Sequence, residues 1–550
     1  MHMTRLARIG LFVVLALPSW ASAAEPARIP KSLVIALDGL RADGLEAADA
    51  PRIRALIDGH WQPGYRCAYA YYAQTIKDAT TGSGPNHTTI FTGVTANAHH
   101  VRGNIDKQMA AVKYPDYFAM LRQFDAKLSM ARLSSWKSDE LVPSGADYVS
   151  VSRDATTAAR GTGMIAGTYE DPRWPRGRDI DALLVFLNDP DSTGHATGFG
   201  PSNPKYLAVI HTLDGYVGGL LDAIAARPTF GREDWQVILT TDHGGYQLNH
   251  GTMEACCYGV PLVVSSREAN QGLLAGVPSL ADVVPTVLQH MGVGPTHTFT
   301  TVDGVRYNLP GEARGDDVRA PDARRLTDGL IVDLPFDGSL TDVAGTLKPT
   351  VGGGTPTYVD GKFGKAIHLA PGTYVTLAPP GRLPIDRGDF TLAFWYRVPA
   401  DQKGDPVILG DKEWSGRDNP GLLLTASVGR DRNDVGLNLA SPVIGRCDAY
   451  RIDVRPNQWW LVAATVRRDG PVMLYAGGPD GTLQFISNDA THLADDTGPL
   501  PLNLGQDGTG KYPFGLTADV EQLAVWDRAL SLDEVRQLYN KGAGAKLGDR

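Results

Sequence analysis

Three apolar runs in the first half of the chain end alike, and that ending limits what the chain can fold into. KSLVIALDGL delivers Asp38, ALLVFLNDPDSTGH delivers Asp191 and then His195, and WQVILTTDHGG delivers Asp242 and His243, with His250 following in NHG. Ser32–Leu37, Ala182–Leu187, Gln236–Thr240 and Val260–Ser265 read as buried strands, while Tyr206–Ala226 and Leu280–Met291 carry apolar residues at helical spacing. Strands alternating with helices predict an α/β domain, a mostly parallel sheet sandwiched by helices, which binds its ligands beyond the carboxyl ends of the strands. One Asp after one strand is ordinarily a turn or cap residue. Three such endings at one sheet edge point to a pair of metal sites, one with two Asp and a His, the other with one Asp and two His. Carboxylates mixed with imidazoles suit Zn2+ better than manganese.

A nucleophile is offered by TTGSGPNHTTIFTG, where Ser83 precedes Gly84 and Pro85 at the start of a predicted helix. Proline suits a first turn, and the exposed N–H groups there favour an anion. A serine oxygen bound to a metal can lose its proton near neutral pH without a histidine base. The plainer alternative is that Ser83 only caps the helix.

The 550 residues exceed what one core organises, so two or three domains are expected. Residues 1–23 read as a signal peptide: Arg5 and Arg8, an apolar run Ile9–Leu17, then Ala21-Ser22-Ala23. The expected protein is exported, periplasmic or secreted, and no later stretch reads as a membrane span. A net charge of -9 leaves no basic surface for coating nucleic acid, although a bound metal would still allow a small phosphorylated substrate. The four cysteines, Cys67, Cys256, Cys257 and Cys447, are too few for a disulfide framework. A bridge from Cys67 to Cys256 or Cys257 and four buried thiols are both open.

Residues 24–311 therefore read as the catalytic domain, and the polar stretch 312–328 as a linker. From 329 to 550 the texture changes to short strands such as Phe390–Val398, Gly421–Val428, Asp434–Leu439 and Trp459–Arg467, which predict an all-β jelly-roll sandwich. Trp395, Trp459, Trp460 and Trp526 read as its core packing. In the first domain, Tyr114, Tyr117, Phe118, Trp136 and Trp174 either frame the substrate or pack the core.

VIALDGL, SGPNHTTIFTG, DPDSTGH and TTDHGG occur in the order found in the alkaline phosphatase superfamily, and residues 30–295 most resemble its type I phosphodiesterase/nucleotide pyrophosphatase branch. FTLAFWYRV, WWLVAATV and VEQLAVWDRALSLDEVRQLY resemble laminin-G-like, concanavalin A-like domains. The first resemblance implies an alkaline-phosphatase-like fold with two divalent metal ions. Asp38, Ser83, Asp242 and His243 would hold one, Asp191, His195 and His250 the other, and Asn104 in HHVRGN would bind a phosphoryl oxygen. The second implies a glycan or protein ligand and a structural Ca2+. Two features depart from the branch. Ser83 stands where threonine is usual, and His250 follows the DHG motif without the long insertion of the eukaryotic-type members.

The expected reaction is hydrolysis of a phosphate ester through a phosphoseryl intermediate on Ser83. Asn104, being neutral, favours a phosphodiester, with nearby Arg102 counting the other way. The alternatives are a phosphomonoesterase of the same fold, a sulfatase, and a glycan- or protein-binding protein with an inactive hydrolase domain. A sulfatase needs arginine where this chain has His87. Retention of every ligand argues against an inactive domain.

Overall fold

In a computed structural model, residues 28–547 are described apart from 253, 320–323, 384, 386, 417–418, 430–431, 442–444, 494–497 and 546. The signal-peptide reading falls on residues outside that set. The N-terminal domain is built on strands β1 (Ile29–Leu37), β2 (Arg66–Gln74), β3 (Met130–Ser134), β4 (Tyr148–Val151), β5 (Ala182–Leu187), β6 (Glu233–Thr240), β7 (Gly259–Ser266), β8 (Gly272–Leu274), β9 (Phe299–Thr300), β10 (Arg306–Tyr307) and β11 (Val318–Arg319). Nine of them form one sheet in the order β11-β8-β2-β7-β6-β1-β5-β3-β4, and β9 and β10 pair separately. Strands β1, β5 and β6 are buried along almost their whole length, as expected where helices cover both faces of a sheet.

The sheet is mostly parallel, with two strands, β7 and β11, running the other way. β6, β1, β5, β3 and β4 run parallel, but β7 is antiparallel to both β6 and β2, and β11 to β8. A parallel neighbour requires a crossover that returns the chain to the opposite sheet edge. Residues 241–258 instead turn back at the edge where β6 ends, so β7 must descend beside it.

The 22-residue helix Pro204–Ala225 holds an 18-residue window of mean hydropathy 1.3, which by length and composition alone would meet the requirements of a membrane span. It packs against the sheet through Tyr206, Ile210, Leu213, Val217, Leu220, Leu221 and Ile224. Its buried Asp214 accepts the backbone N–H groups of Arg52 and Ile53 at 3.1 and 2.7 Å. That carboxylate satisfies two otherwise orphaned donors in the first turn of the helix Pro51–Ile57.

The described residues of 312–328 are held to both domains. Arg314 pairs with Asp282 and Asp317 at 2.7 Å each, β11 extends the sheet, and the carbonyl of buried Leu326 accepts the Trp526 indole N–H at 2.6 Å. The C-terminal domain is a sandwich of an eight-stranded and a seven-stranded antiparallel sheet. In Phe390–Arg397, Leu392, Phe394 and Tyr396 face the sandwich interior, while Ala393 and Trp395 belong to the cluster shared with the first domain. Burial of both faces explains why this strand is apolar throughout. Trp395, Trp460 and Trp526 are buried, and Trp459 is partly covered beneath Arg397.

Candidate functional site

The register of three parallel strands brings the first carboxylates together. Leu37 pairs with Leu187, and Ala36 with Thr240, so β1, β5 and β6 end level. Asp38 and Asp242 therefore leave the same edge, and Asp191 sits in the first turn of the helix Asp189–Thr197 that starts there. Buried Asp154 accepts the N–H groups of Asn188 and Asp189 at 2.9 Å, which anchors that helix. Gly39 follows Asp38 at φ +72°, and a Cβ there would lie 2.8 Å from the Asp191 backbone, so only glycine lets β1 and the helix approach so closely.

Each histidine is oriented by a backbone carbonyl. His195 Nδ1 meets the Leu248 oxygen at 2.7 Å, His243 Nδ1 that of Gly244 at 2.8 Å, and His250 Nδ1 that of Thr81 at 2.9 Å. A carbonyl can only accept, so each Nδ1 carries the proton and each Nε2 presents a lone pair. Those lone pairs face acids: His243 Nε2 lies 3.1 Å from Asp242 Oδ2 and 3.5 Å from Asp38 Oδ1, and His195 and His250 Nε2 lie 3.4 and 3.5 Å from Asp191 Oδ1. Acceptor facing acceptor is unfavourable without a cation between. Asp38 Oδ1, Asp191 Oδ1 and Asp242 Oδ2 are also buried without a hydrogen-bond partner.

Electrostatics gives the same picture. Burial, then the neighbouring Asp242 and Asp191, pushes the Asp38 carboxyl well above its ordinary range. Burial also raises Asp191, against the pull of His250. For Asp242, burial is outweighed by the His243 and His87 rings, which hold its carboxyl below the usual range. Burial lowers the His243 pKa, and burial with His243 beside it lowers His250 to about 4. Among the described residues two groups fit a divalent ion, Asp38 with His87 and Asp242, and Asp191 with His243 and His250. This grouping leaves out His195 and places His243 with Asp191 rather than with Asp38 and Asp242, and its mixed carboxylate and imidazole donors suit metal.

His87 is the residue that sequence reasoning missed. Its Nε2 lies 3.1 Å from Asp38 Oδ2 and 3.2 Å from Asp242 Oδ2, its Nδ1 lies 2.8 Å from Asp139 Oδ1, and the ring stacks on Phe186 at 3.8 Å. Its helical neighbours Thr88 and Thr89 hide it in the motif, and its partner Asp139 is 52 residues away.

Ser83 opens the helix Ser83–Thr92, but Gly82 is the cap residue and the Ser83 hydroxyl instead lies 3.2 Å from His243 Nε2. The first-turn donors are less open than expected. Asn104 Oδ1 accepts the Gly84 N–H at 2.7 Å, Pro85 has none, and Asn86 donates to the Gly82 oxygen at 3.4 Å. Arg102 is turned to the Asp78 carbonyl and to Asn97. Tyr117, Phe118 and Trp174 are core residues, and Tyr114 is partly buried against Tyr307, whereas Trp136 packs edge-on against His87 at 5.0 Å. All four cysteines are buried, and Cys67, Cys256 and Cys257 are thiols, so no bridge joins Cys67 to Cys256 or Cys257.

Residues 32–116 and 106–255 match the type I phosphodiesterase / nucleotide pyrophosphatase family. This part of the chain is thus similar to that family. Residues 369–536 match the concanavalin A-like lectin/glucanases superfamily. Among curated relatives, ectonucleotide pyrophosphatase/phosphodiesterase family member 7 of Mus musculus is 26% identical over 252 residues, 42% of this chain and 54% of that protein. The Homo sapiens protein of the same name is 26% identical over 233 residues, 39% of this chain and 47% of that one. The matches thus span about half the length of each relative. The binding domain of botulinum neurotoxin serotype C1 superposes with a TM-score of 0.32 at 13% identity over 40% of this chain and 53% of that one. Asp38, Ser83, His87, Asn104, Asp191, His195, Asp242, His243 and His250 all lie within the matched residues, and Ala255–Tyr258, at and just beyond their end, pack into the core of the second domain.

Proposed function

We propose that the N-terminal domain hydrolyses phosphate esters, phosphodiesters in preference, through a phosphoseryl intermediate on Ser83, in an exported protein. The reading rests above all on the Ser83 hydroxyl standing 3.2 Å from His243 Nε2, beside buried carboxylate oxygens that lack partners. Asp38, Ser83, Asp242 and His243 would hold one divalent cation, and Asp191, His195 and His250 a second, with Zn2+ the best match to the donors. Such cations, when bound, lower the pKa of a coordinated hydroxyl and neutralise charge on phosphoryl oxygens.

The remaining work falls to the chain. Ser83 Oγ bonds to phosphorus as the bond to the leaving oxygen breaks, and that oxygen departs with a proton. Water then adds to phosphorus and the Oγ–P bond breaks, which returns the hydroxyl. With its oxygen occupied by the Gly84 N–H, Asn104 keeps its amide N–H groups for a phosphoryl oxygen. His87, donating toward Asp38 and Asp242 while Asp139 holds its other nitrogen, fixes the two carboxylates as a unit. The sequestration of Arg102 by Asp78 and Asn97 favours the singly charged diester over a monoester.

The second domain would take a glycan or protein ligand, with a structural Ca2+ belonging to the same reading. To test the catalytic reading, zinc-loaded protein is assayed on bis-p-nitrophenyl phosphate, p-nitrophenyl phosphate and p-nitrophenyl sulfate. Fastest turnover of the diester is expected, and sulfate turnover outpacing both phosphates would overturn the assignment.

A further inference from the structure

The segment that carries His250 is built into the second domain. After His250, the helix Ala255–Tyr258 contributes Ala255, Cys256, Cys257 and Tyr258 to the same buried cluster as the sandwich interior. The Tyr258 hydroxyl donates to the Asp448 carbonyl at 3.3 Å, and Asn488 Nδ2 donates to that carbonyl at 2.8 Å. A Cβ on Gly259 would lie 2.4 Å from Ser487 Oγ and 3.2 Å from the Ser487 carbonyl, so β7 starts in close contact with the sandwich strand Leu483–Asp489.

One side chain reaches back to the loop itself. Arg451, in the sandwich strand Gly445–Asp453, donates to Glu254 Oε1, and its guanidinium lies 5.4 Å from the Tyr246 ring centroid. Tyr246 and Asn249 exchange backbone hydrogen bonds at 2.8 and 3.0 Å, which closes the turn before His250. Arg451 thus holds the turn at Tyr246 and, beyond it, at Glu254. Arg451 has φ +78°, a conformation unfavourable for a residue with a side chain, and it lies where the pairing with Arg432–Ser441 slips at Val435/Gly436. A bulge re-aims a side chain, and strain of this kind persists only where surrounding contacts enforce it.

From the far side, Thr81 Oγ1 donates to the Thr252 carbonyl at 2.8 Å, and the Thr81 carbonyl receives His250 Nδ1. His250 is therefore held between the segment leading to Ser83 and the sandwich.

We infer that the β-sandwich is a positioning element of the hydrolase site, with Arg451 bracing the 246–252 turn through Tyr246 and, beyond it, Glu254, so that His250 is held in place for a divalent cation. This rests on the metal reading proposed above. It makes the second domain a structural part of the catalytic centre, whatever else that domain binds.

The experiment uses the full chain and measures Zn2+ affinity by competition with a chromophoric chelator, alongside thermal unfolding. The variants are Arg451→Ala, Glu254→Gln and their combination, with Arg536→Ala as a control that cuts a different interdomain ion pair, to Glu46. Loss of support for a metal-binding histidine weakens affinity by about 10-fold or more. That loss is expected for one Zn2+ in Arg451→Ala and Glu254→Gln, with no further loss in the double variant and none in Arg536→Ala. Unchanged affinity in Arg451→Ala, or an equal loss in Arg536→Ala, overturns the inference. A wild-type chain that binds no Zn2+ overturns the metal reading instead.

Discussion

His87 Nδ1 lies 2.8 Å from Asp139 Oδ1 in a pocket where both side chains are at most 1% exposed, and the opposite ring nitrogen faces Asp38 and Asp242. Burial works against a charged ring, but Asp139 and Asp242 outweigh it, so the His87 pKa is raised well above its ordinary value. The imidazolium is the one cationic group set among three buried carboxylates. Removing it leaves those charges uncompensated, so His87→Ala should destabilise the fold by about 3–5 kcal/mol. Denaturant unfolding of His87→Ala against the wild type measures this, and a loss below about 1 kcal/mol would show that the network carries little energy.

Asn104 offers a second handle on the same edge. Its oxygen holds the Gly84 N–H, and its amide nitrogen is the donor assigned to substrate. Asn104→Ala should lower kcat by about 10²–10³-fold with little change in unfolding temperature, since the residue is exposed. Asn104→Asp keeps the acceptor for Gly84 but places an anion beside the phosphoryl group, so it should not recover activity.

Three carboxylates with unpartnered oxygens would make a bound cation part of the fold's stability. With free Zn2+ at about 100 times its dissociation constant, stability should rise by about 2.7 kcal/mol per site by mass action. A chelator should therefore lower the unfolding temperature, and Zn2+ should restore it. An unfolding temperature indifferent to both would argue against metal at this cluster.

His99 predicts an acid-sensitive step outside the metal cluster. Burial lowers its pKa to about 4 from an ordinary 6.5, with nearby Asp78 opposing only weakly. Its Nδ1 accepts the Val101 N–H at 3.0 Å, and Nε2 meets the Thr89 hydroxyl at 3.2 Å, so the neutral ring ties the catalytic helix to the loop leading to Asn104. The unfolded chain binds the proton first as pH falls, so this contribution is complete above about 6.5 and is lost between there and about 4. The loss should reach about 3 kcal/mol across that window. His99→Gln should flatten the stability profile between those pH values, and an unchanged slope would remove His99 as the cause.

Much of this architecture is legible in the chain. Ala182–Leu187 spans the same residues as β5, and the Asp that follows each of three apolar runs falls on one edge because β1, β5 and β6 are parallel and end level. What stayed hidden depends on distant pairings. His87 reads as a helical residue until Asp139 is folded against it, and Asp154 gives no local sign that it anchors the helix of Asp191. The antiparallel course of β7 follows from residues 241–258 turning back at the sheet edge, which periodicity cannot reveal. The bracing of Glu254 by Arg451 joins residues 197 apart in different domains.

The central claim is that Ser83 becomes phosphorylated during turnover. Zinc-loaded protein is mixed with bis-p-nitrophenyl phosphate, quenched in acid within one turnover, digested, and its peptides are weighed. The account predicts a substrate-derived phosphoryl adduct on the Ser83 peptide that is absent from Ser83→Ala. Rapid diester hydrolysis with Ser83 unmodified at every quench time, and preserved in Ser83→Ala, would contradict it.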